Sequence, residues 1–484
     1  MKLTYCNPLA IEDVKSGRWL DYNLSRLDPR TGADYRSISD PSVVYHDGKW
    51  ILYPSYGIAY VSEDFVNWRH VDVGVPHMRY SPAVVQFRGK WYLSGHGMTE
   101  VYSADDPLGP FTICGHLTDH QGNIFKVADG CYLNDDDRLY FYWHSSEQLA
   151  NGERIYGTKG AECDPDAPWK LLSEPVWINK FDPSQEWQRF GEHNQNEHMG
   201  WIEGQWMIKI GKRYYLLYSG NGTRFDAYAN GVAYSDEGPL SGFQSQVKHN
   251  PLTRKTNGLL RGAGHGSIVE GPNNTYWVFY TSIFCYYYRF ERRIGMDPIG
   301  IDENGELFCP EVTETPQYAP GVLDRPELGN SVGLLPLTFM QIPTVSSAVP
   351  GRDGIYAQDD SVLTWWQPVE NDPDKCITVP LDAPRGYRVE SVRIVWRDVG
   401  METLDGIDPG PFQYVVEYLA PGNKEEWKML VDASENQRDL CIDYRQFAPV
   451  KASDLRLRIL GSPPGIQPGL VSFTAFGRME LGEL

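Results

Sequence analysis

The sequence predicts an all-β protein, a five-bladed β-propeller followed by a β-sandwich, and three observations carry that prediction. Short runs rich in Val, Ile, Tyr, Phe and Trp alternate with Asp-Gly, Asn-Gly and Gly-Lys turns, while long amphipathic helical patterns are hard to find. A unit of turn, aromatic strand and second strand recurs up to about residue 310. Beyond it the texture changes twice, to a Pro-, Gly- and Ser-rich stretch and then to a β pattern of different spacing.

The repeat has five instances: DGKWILYPSYGIAYVSED from Asp47, RGKWYLSGHGMTEVYSADD from Arg88, DDRLYFYWHSS from Asp136, GKRYYLLYSGNGTRFDAYANGVAYSDE from Gly211 and NNTYWVFYT from Asn273. Two of them continue into matching tails, DDPLGPF at Asp105 to Phe111 and DEGPLSGF at Asp236 to Phe243, which chance similarity among the hairpins of a sandwich would not produce. Five such units over about 300 residues suit five blades of four strands. The expected organisation is a propeller over 1–312, a linker over 313–351 and a sandwich over 352–484. Within the last, alternation in Val392 to Trp396 and in Leu455 to Ile459 predicts strands with one solvated face.

A chain of 484 residues, 41% hydrophobic, is long enough for two or three domains with sizeable cores. Trp (15) and Tyr (30) together outnumber Phe (18); their flat apolar faces and polar handles suit stacking on sugar rings, although any one of them is more often core. The net charge of −20 repels a phosphate backbone or an anionic membrane surface, so neither nucleic acid nor membrane is an expected partner. A neutral substrate is favoured, and a strongly acidic polymer would need a local basic pocket. No stretch of about 20 apolar residues offers a membrane span. Eight scattered cysteines form no C-x-x-C, which argues against a zinc ribbon or dithiol site and predicts free, buried thiols. The opening MKLTYCNPLAIEDV lacks the apolar run of a signal peptide, so the expected location is the cytoplasm, or outside it after loss of an export signal.

The first strand of every propeller blade lines the central channel, so acids just before such strands are the candidates for chemistry. Asp40 opens Asp40-Pro41-Ser42-Val43-Val44-Tyr45, and Pro41 fixes the backbone there. Asp129 holds the same place before the third unit, ahead of Leu133 and the Asp135-Asp136-Asp137 turn. Glu203 precedes the fourth, in Trp201-Ile202-Glu203-Gly204-Gln205-Trp206, where either Trp offers an apolar wall. Each acid alone suits a cap, a turn or an ion pair. Three at repeat positions suit a reaction needing both a proton donor and a proton acceptor, as hydrolysis of a glycosidic bond does. Glu192 and Glu197 are nearby rivals of Glu203, but neither leads directly into a blade strand.

These motifs resemble those of glycoside hydrolase family 43, a family of inverting five-bladed propellers. Its Asp-Pro-Ser is matched by Asp40-Pro41-Ser42; its Asp ahead of an acidic turn by Asp129 and Asp135-Asp136-Asp137, with Arg138 for the usual Gly; its Glu-Gly-Pro ahead of Tyr-Tyr-Leu by Glu203-Gly204 and Tyr214-Tyr215-Leu216. Gln205 and Gly130 stand where the family usually has Pro. The resemblance implies Asp40 as general base, Glu203 as general acid and Asp129 as the group that orients the acid and tunes its pKa. It also implies that His265, in Gly264-His265-Gly266-Ser267, lies at the channel near a structural calcium ion or its waters, and that Arg292, with Arg293 as alternative, reaches the sugar. Tyr56, Tyr80, His96 and Trp143 lie where blade strands approach the channel and are weaker candidates for sugar contacts. No organic cofactor is indicated.

The implied activity is removal of terminal pentoses, by an α-L-arabinofuranosidase or β-xylosidase, from plant-type poly- or oligosaccharides. Action on galactan or galactofuranosides is the alternative on the same scaffold, and a non-catalytic carbohydrate-binding propeller is the alternative of another class. The Asn-Asp-Pro-Asn and Glu-Cys motifs of fructan-cleaving propellers do not occur at the matching positions. Residues of about 360 to 480 resemble the discoidin-like sandwiches among carbohydrate-binding modules. With no exposed aromatic cluster legible there, packing against the propeller is favoured over sugar binding.

Overall fold

A computed structural model describes residues 1–13, 38–55, 57–75, 78, 80–150, 152–284, 292–381, 386–399, 410–423 and 425–479. Residues 42–308 make five antiparallel sheets in chain order. Blade 1 comprises Ser42–His46, Lys49–Tyr53, Ile58–Ser62 and Arg69–Asp72, and blade 2 comprises Ala83–Phe87, Lys90–Ser94, Glu100–Ala104 and Thr112–His116. Blade 3 is built from Ala128–Asp135, Arg138–Gln148, Arg154–Asp164 and Ala167–Leu171, with Val176–Lys180 added to its third strand. Blade 4 runs through Glu203–Ile210, Arg213–Gly220 and Ala229–Ser235, with Gln244–Ser245 and Thr253–Arg254 beside the last. Blade 5 holds Arg261–Glu270, Tyr276–Ile283, Arg292–Ile301 and Leu307–Phe308. The two matching tails both join the third strand of a blade to its fourth, in blades 2 and 4.

Two buried faces explain why a strand such as Lys49–Tyr53 is apolar at every position after its exposed Lys49. Trp50 and Leu52 point into the wedge between blades 5 and 1, while Ile51 and Tyr53 point into the wedge between blades 1 and 2. Corresponding wedges fill the gaps between blades 2 and 3, 3 and 4, and 4 and 5. Each innermost strand packs beside the next, and Arg261–Glu270 packs against Ser42–His46, so the ring is closed. At that seam the N-terminal segment is clipped to blade 5: Asn7 bonds the Met296 carbonyl (2.9 Å) and amide (3.1 Å), and the Leu9 amide donates to Ile294 (2.8 Å).

The sandwich pairs one sheet of Leu335–Pro336, Gln467–Met479, Tyr387–Val399 and Ile442–Ala452 with another of Thr344–Val345, Cys376–Pro380, Asp454–Gly461, Gln413–Leu419 and Lys428–Ala433. Two departures from the sequence reading appear here. The stretch 313–351 is more than a linker, because Gln317–Tyr318 pairs with Thr4–Tyr5, and Leu335–Pro336 and Thr344–Val345 are edge strands of the sandwich. Two-residue strands are too short to show a period. Leu455 to Ile459 does alternate between core and solvent, but Val392 to Trp396 is buried on both faces. Val392, Ile394 and Trp396 face the sandwich core, whereas Val395 joins Leu259 and Phe284 of the propeller with Val362, Trp365, Ile442 and Val471. The sandwich therefore packs on the propeller.

Seven of the eight cysteines are described; Cys6, Cys131, Cys163 and Cys441 are buried, while Cys114, Cys309 and Cys376 are partly exposed. Among the described residues no helix is long and apolar enough to cross a membrane.

Arg393 pins the two domains. Its side chain is fully buried and its Nη1 donates to the carbonyls of Asn7 and Glu314, each at 2.8 Å. Arg393→Ala would leave both carbonyls dry and unpaired. It is expected to lower stability by about 3 kcal/mol, read as a fall in the midpoint of chemical unfolding.

Candidate active site

The site is built on a ring of backbone strain. Asp40, Ser81, Asp129 and Gly204 each stand seven residues before a blade's first turn, which begins at Asp47, Arg88, Asp136 and Gly211. His265 takes the same place at the head of blade 5. All five have left-handed backbone, with φ of 54°, 53°, 49°, 64° and 43° in that order. Only Gly adopts such angles at no cost, so neighbours must hold the other four. The amides of Asp40, Ser81 and His265 donate to the hydroxyls of Thr281 (2.7 Å), Ser55 (3.3 Å) and Ser219 (2.7 Å), and that of Gly204 donates to Asp129 Oδ2 (3.2 Å). In blades 3, 4 and 5 the register slips at this point, and such a bulge re-aims the side chains beside it.

Glu203 is thus one residue ahead of the ring position, which in blade 4 belongs to Gly204. A Cβ on Gly204 would lie 2.9 Å from Ser219 Oγ and 3.0 Å from His265 Cγ, so the glycine lets blades 4 and 5 approach. The two departures from the expected Pro have local causes. A Cβ on Gly130 would meet Phe141 Cζ at 2.6 Å, and Gln205 bonds Thr158 Oγ1 at 3.2 Å.

Asp40 is 2% exposed and accepts both Nη1 and Nη2 of Arg292 at 2.9 Å in a fork. Ser55 Oγ donates to its Oδ2 at 2.6 Å, and His265 Nδ1 is 3.5 Å from Oδ1. Burial works to raise its pKa, but the Arg292 charge, then His265 and the Ser55 hydrogen bond, outweigh it and hold the carboxyl below its ordinary value. Asp129 is equally enclosed. Burial again opposes ionisation, and the His96 hydrogen bond (2.8 Å) with the fields of His265, His96 and His144 prevails, so its pKa is depressed. Glu203 goes the other way. Loss of water, then the Asp129 charge, push it up to about 8, against the hydrogen bonds it accepts from Trp201 Nε1 (2.5 Å) and the Tyr228 hydroxyl (2.9 Å). One channel therefore holds two carboxylates and one carboxylic acid at neutral pH.

His265 lies between the two carboxylates, with Nδ1 3.9 Å from Asp129 Oδ2 and Nε2 3.0 Å from Ser81 Oγ. Arg292 also bonds Thr223 Oγ1 (3.0 Å) and lies 5.8 Å from the Tyr80 ring. Arg293 turns away, toward Phe284 and Asp13. Tyr80 meets His96 edge to face at 6.5 Å, and the His96 side chain is 40% exposed, so both border the channel. Trp143 does not: it stacks on Phe141 in the wedge between blades 2 and 3, and its strand neighbour His144 faces the site instead, stacked on Trp201 at 5.0 Å. Tyr56 lies outside the described residues. Glu192 and Glu197 are exposed, and Glu197 pairs with Arg189. Trp206 bonds the Ile268 carbonyl in the wedge between blades 4 and 5, which leaves Trp201 as the indole at Glu203, acting as a donor as well as a wall.

The sequence reading missed Tyr228, Thr223, Ser55, Ser81 and His144. Their partners are distant in the chain or on other strands, Thr223 with Arg292, Ser81 with His265, Ser55 with Asp40 and Tyr228 with Glu203, which no local pattern reveals. The calcium expected at His265 does not fit the donors there. A hard cation takes 6–8 oxygens, whereas Asp40 is already bound to a guanidinium, and among the described residues no three His, Cys, Asp or Glu side chains converge on a metal position.

A closed β-propeller whose channel keeps one carboxyl protonated beside two ionised ones has the equipment of a glycoside hydrolase. The chain belongs to the glycosyl hydrolases of family 43, whose family model matches residues 26–307. A thermostable family-43 glycoside hydrolase of known structure is 22% identical with a TM-score of 0.52, covering 66% of this chain and 100% of its own. A second structure, described as a glycoside hydrolase, is 17% identical with a TM-score of 0.50 over 92% of this chain and 99% of its own. At these identities the likeness is one of fold. Comparison with curated proteins gave no match.

Because Glu203 keeps its proton to about pH 8 when folded but loses it around the ordinary 4.5 when unfolded, its contribution to stability falls as pH rises between those values. Glu203→Gln has no proton to lose. Its melting temperature is expected to gain on the wild type as pH is raised from about 5 to about 9, and a difference independent of pH would refute the shift.

Proposed function

We propose that the protein is an inverting glycosidase that removes terminal pentoses, α-L-arabinofuranose or β-xylose, from plant-type poly- or oligosaccharides. The observation that carries the reaction is the opposed protonation of Asp40 and Glu203. The pentose rests on the resemblance of the three motifs.

In this reading Glu203 passes its proton to the glycosidic oxygen as the bond to the anomeric carbon breaks. Asp40 takes a proton from the water that attacks the opposite face of the sugar, and the configuration inverts. The Glu203 carboxylate left behind has the Trp201 and Tyr228 donors ready, one for each oxygen. Asp129 serves without touching the reacting atoms: its charge keeps the proton on Glu203, and its bond from the Gly204 amide fixes the backbone beside the acid. Arg292 keeps Asp40 ionised despite its burial.

A panel of chromogenic pentosides and hexosides tests the proposal. Release from an arabinofuranoside or xyloside is expected. Glu203→Ala should lower kcat/KM by roughly 10²–10⁴-fold on substrates with poor leaving groups and far less on those with activated ones. Release from a galactoside alone would overturn the pentose, and equal losses on both leaving-group types would overturn the acid.

The pH profile makes a second test. Activity needs Asp40 ionised and Glu203 protonated, so kcat/KM should fall as pH rises through about 8 and hold at mildly acid pH. Arg292→Met removes the cation, burial then prevails at Asp40, and the acid limb should move upward while the alkaline limb moves less.

A further inference from the structure

The loop between the second and third strands of blade 4 is tied to the site at both ends. Thr223 bonds Arg292, and Tyr228 bonds Glu203. Between them Arg224 is exposed, and its guanidinium lies 5.0 Å from the Phe225 ring and 5.3 Å from the ring of Phe190, which belongs to the hairpin of Arg189–Phe190 and Asn196–Gly200. The two rings meet edge to face at 5.0 Å.

This arrangement is fixed. Asn221 accepts from the Gly191 amide and donates to the Gly191 carbonyl, both at 2.9 Å, which rivets the loop to the hairpin. A Cβ on Gly222 would lie 3.0 Å from Phe190 and 3.3 Å from Phe225. Of the acids on these segments, Asp226 pairs with Arg261 (3.1 Å) and Glu197 with Arg189 (3.1 Å), while Glu192 is exposed. Among the described residues no carboxylate pairs with Arg224. In a chain of net charge −20, Arg224 is a cation held over two aromatic rings beside the site, and its planar guanidinium has the chemistry to receive an anion.

We propose that Arg224, seated on Phe190 and Phe225, is a subsite for a carboxylate-bearing sugar, a uronic acid, in the part of the substrate that projects past the rim. The inference rests on the hydrolase reading above. The loop that bonds both Arg292 and Glu203 also carries Arg224, so a glycan whose terminal sugar sits at those two residues has Arg224 beside its next residues. The phenylalanines offer their ring edges and remaining faces to sugar C–H groups, and the planar guanidinium matches a carboxylate in a two-point fork.

The test compares 4-nitrophenyl and 4-carboxy-2-nitrophenyl glycosides of the sugar the wild type releases, assayed with the wild type and with Arg224→Gln. The ratio of kcat/KM for the carboxylated over the neutral substrate is expected to fall about 5- to 10-fold in the variant, with neutral hydrolysis and melting temperature unchanged. Added salt should erode the wild-type ratio and leave that of the variant alone. An unchanged ratio, or equal losses on both substrates, would overturn the subsite while leaving the hydrolase intact. Failure of the wild type to release any sugar from the neutral glycosides would instead overturn the function on which the subsite rests.

Discussion

The fork between Arg292 and Asp40 governs the chemistry of this molecule. Three carboxyl groups share one channel, and three negative charges cannot coexist there unaided. Arg292 removes one of them from the account electrostatically, at an atom-to-atom distance where the pair is nearly neutral from outside. With Asp129 held ionised by His96 and the neighbouring histidines, the remaining repulsion falls on Glu203, which keeps its proton. The same fork also joins blade 5 to blade 1, at the seam where the ring closes. A desolvated ion pair seldom adds net stability over an apolar pair of the same shape. Its presence here is better understood through the division of protons it imposes than through the strength of the fold.

Around this fixed centre, selection of the substrate falls to pieces that the blade repeat does not dictate. The loop of blade 4 supplies Thr223 and Tyr228 to the site and Arg224 to the rim, and the hairpin before blade 4 supplies Phe190. The sandwich acts from behind. Its buried sheet packs on Leu259 and Phe284, and Phe284 lies under Arg293, next in the chain to Arg292. The sandwich thus braces the strand that carries the cation.

Much of this was legible in the sequence because the blade repeat is written in local signals. Turn residues, aromatic strands and the positions of Asp40, Asp129 and Glu203 relative to them need no knowledge of what lies opposite. What escaped depends on pairings distant in the chain. Trp143 and His144 are adjacent and both plausible at a channel, and only the strand's direction decides that the histidine faces it. The expected solvated face of Val392 to Trp396 failed because period two reports one buried face and is silent on what covers the other. Leu335–Pro336 and Thr344–Val345 are strands only by virtue of their partners. Gly130, read as a departure from a motif, is the residue that the close approach of Phe141 demands.

The ring position carries a last lesson, about symmetry. Five copies of one unit bring the same left-handed backbone to one axis, and the residues found there are two aspartates, a serine, a glycine and a histidine. A propeller with five like residues would surround its axis with an even field, and no carboxyl would have reason to differ from its neighbour. Here one copy has traded its side chain for a glycine and placed its acid a single residue upstream, off the ring. That displacement breaks the five-fold equivalence, and the chemical direction of the site, from proton donor to proton acceptor, follows from the break.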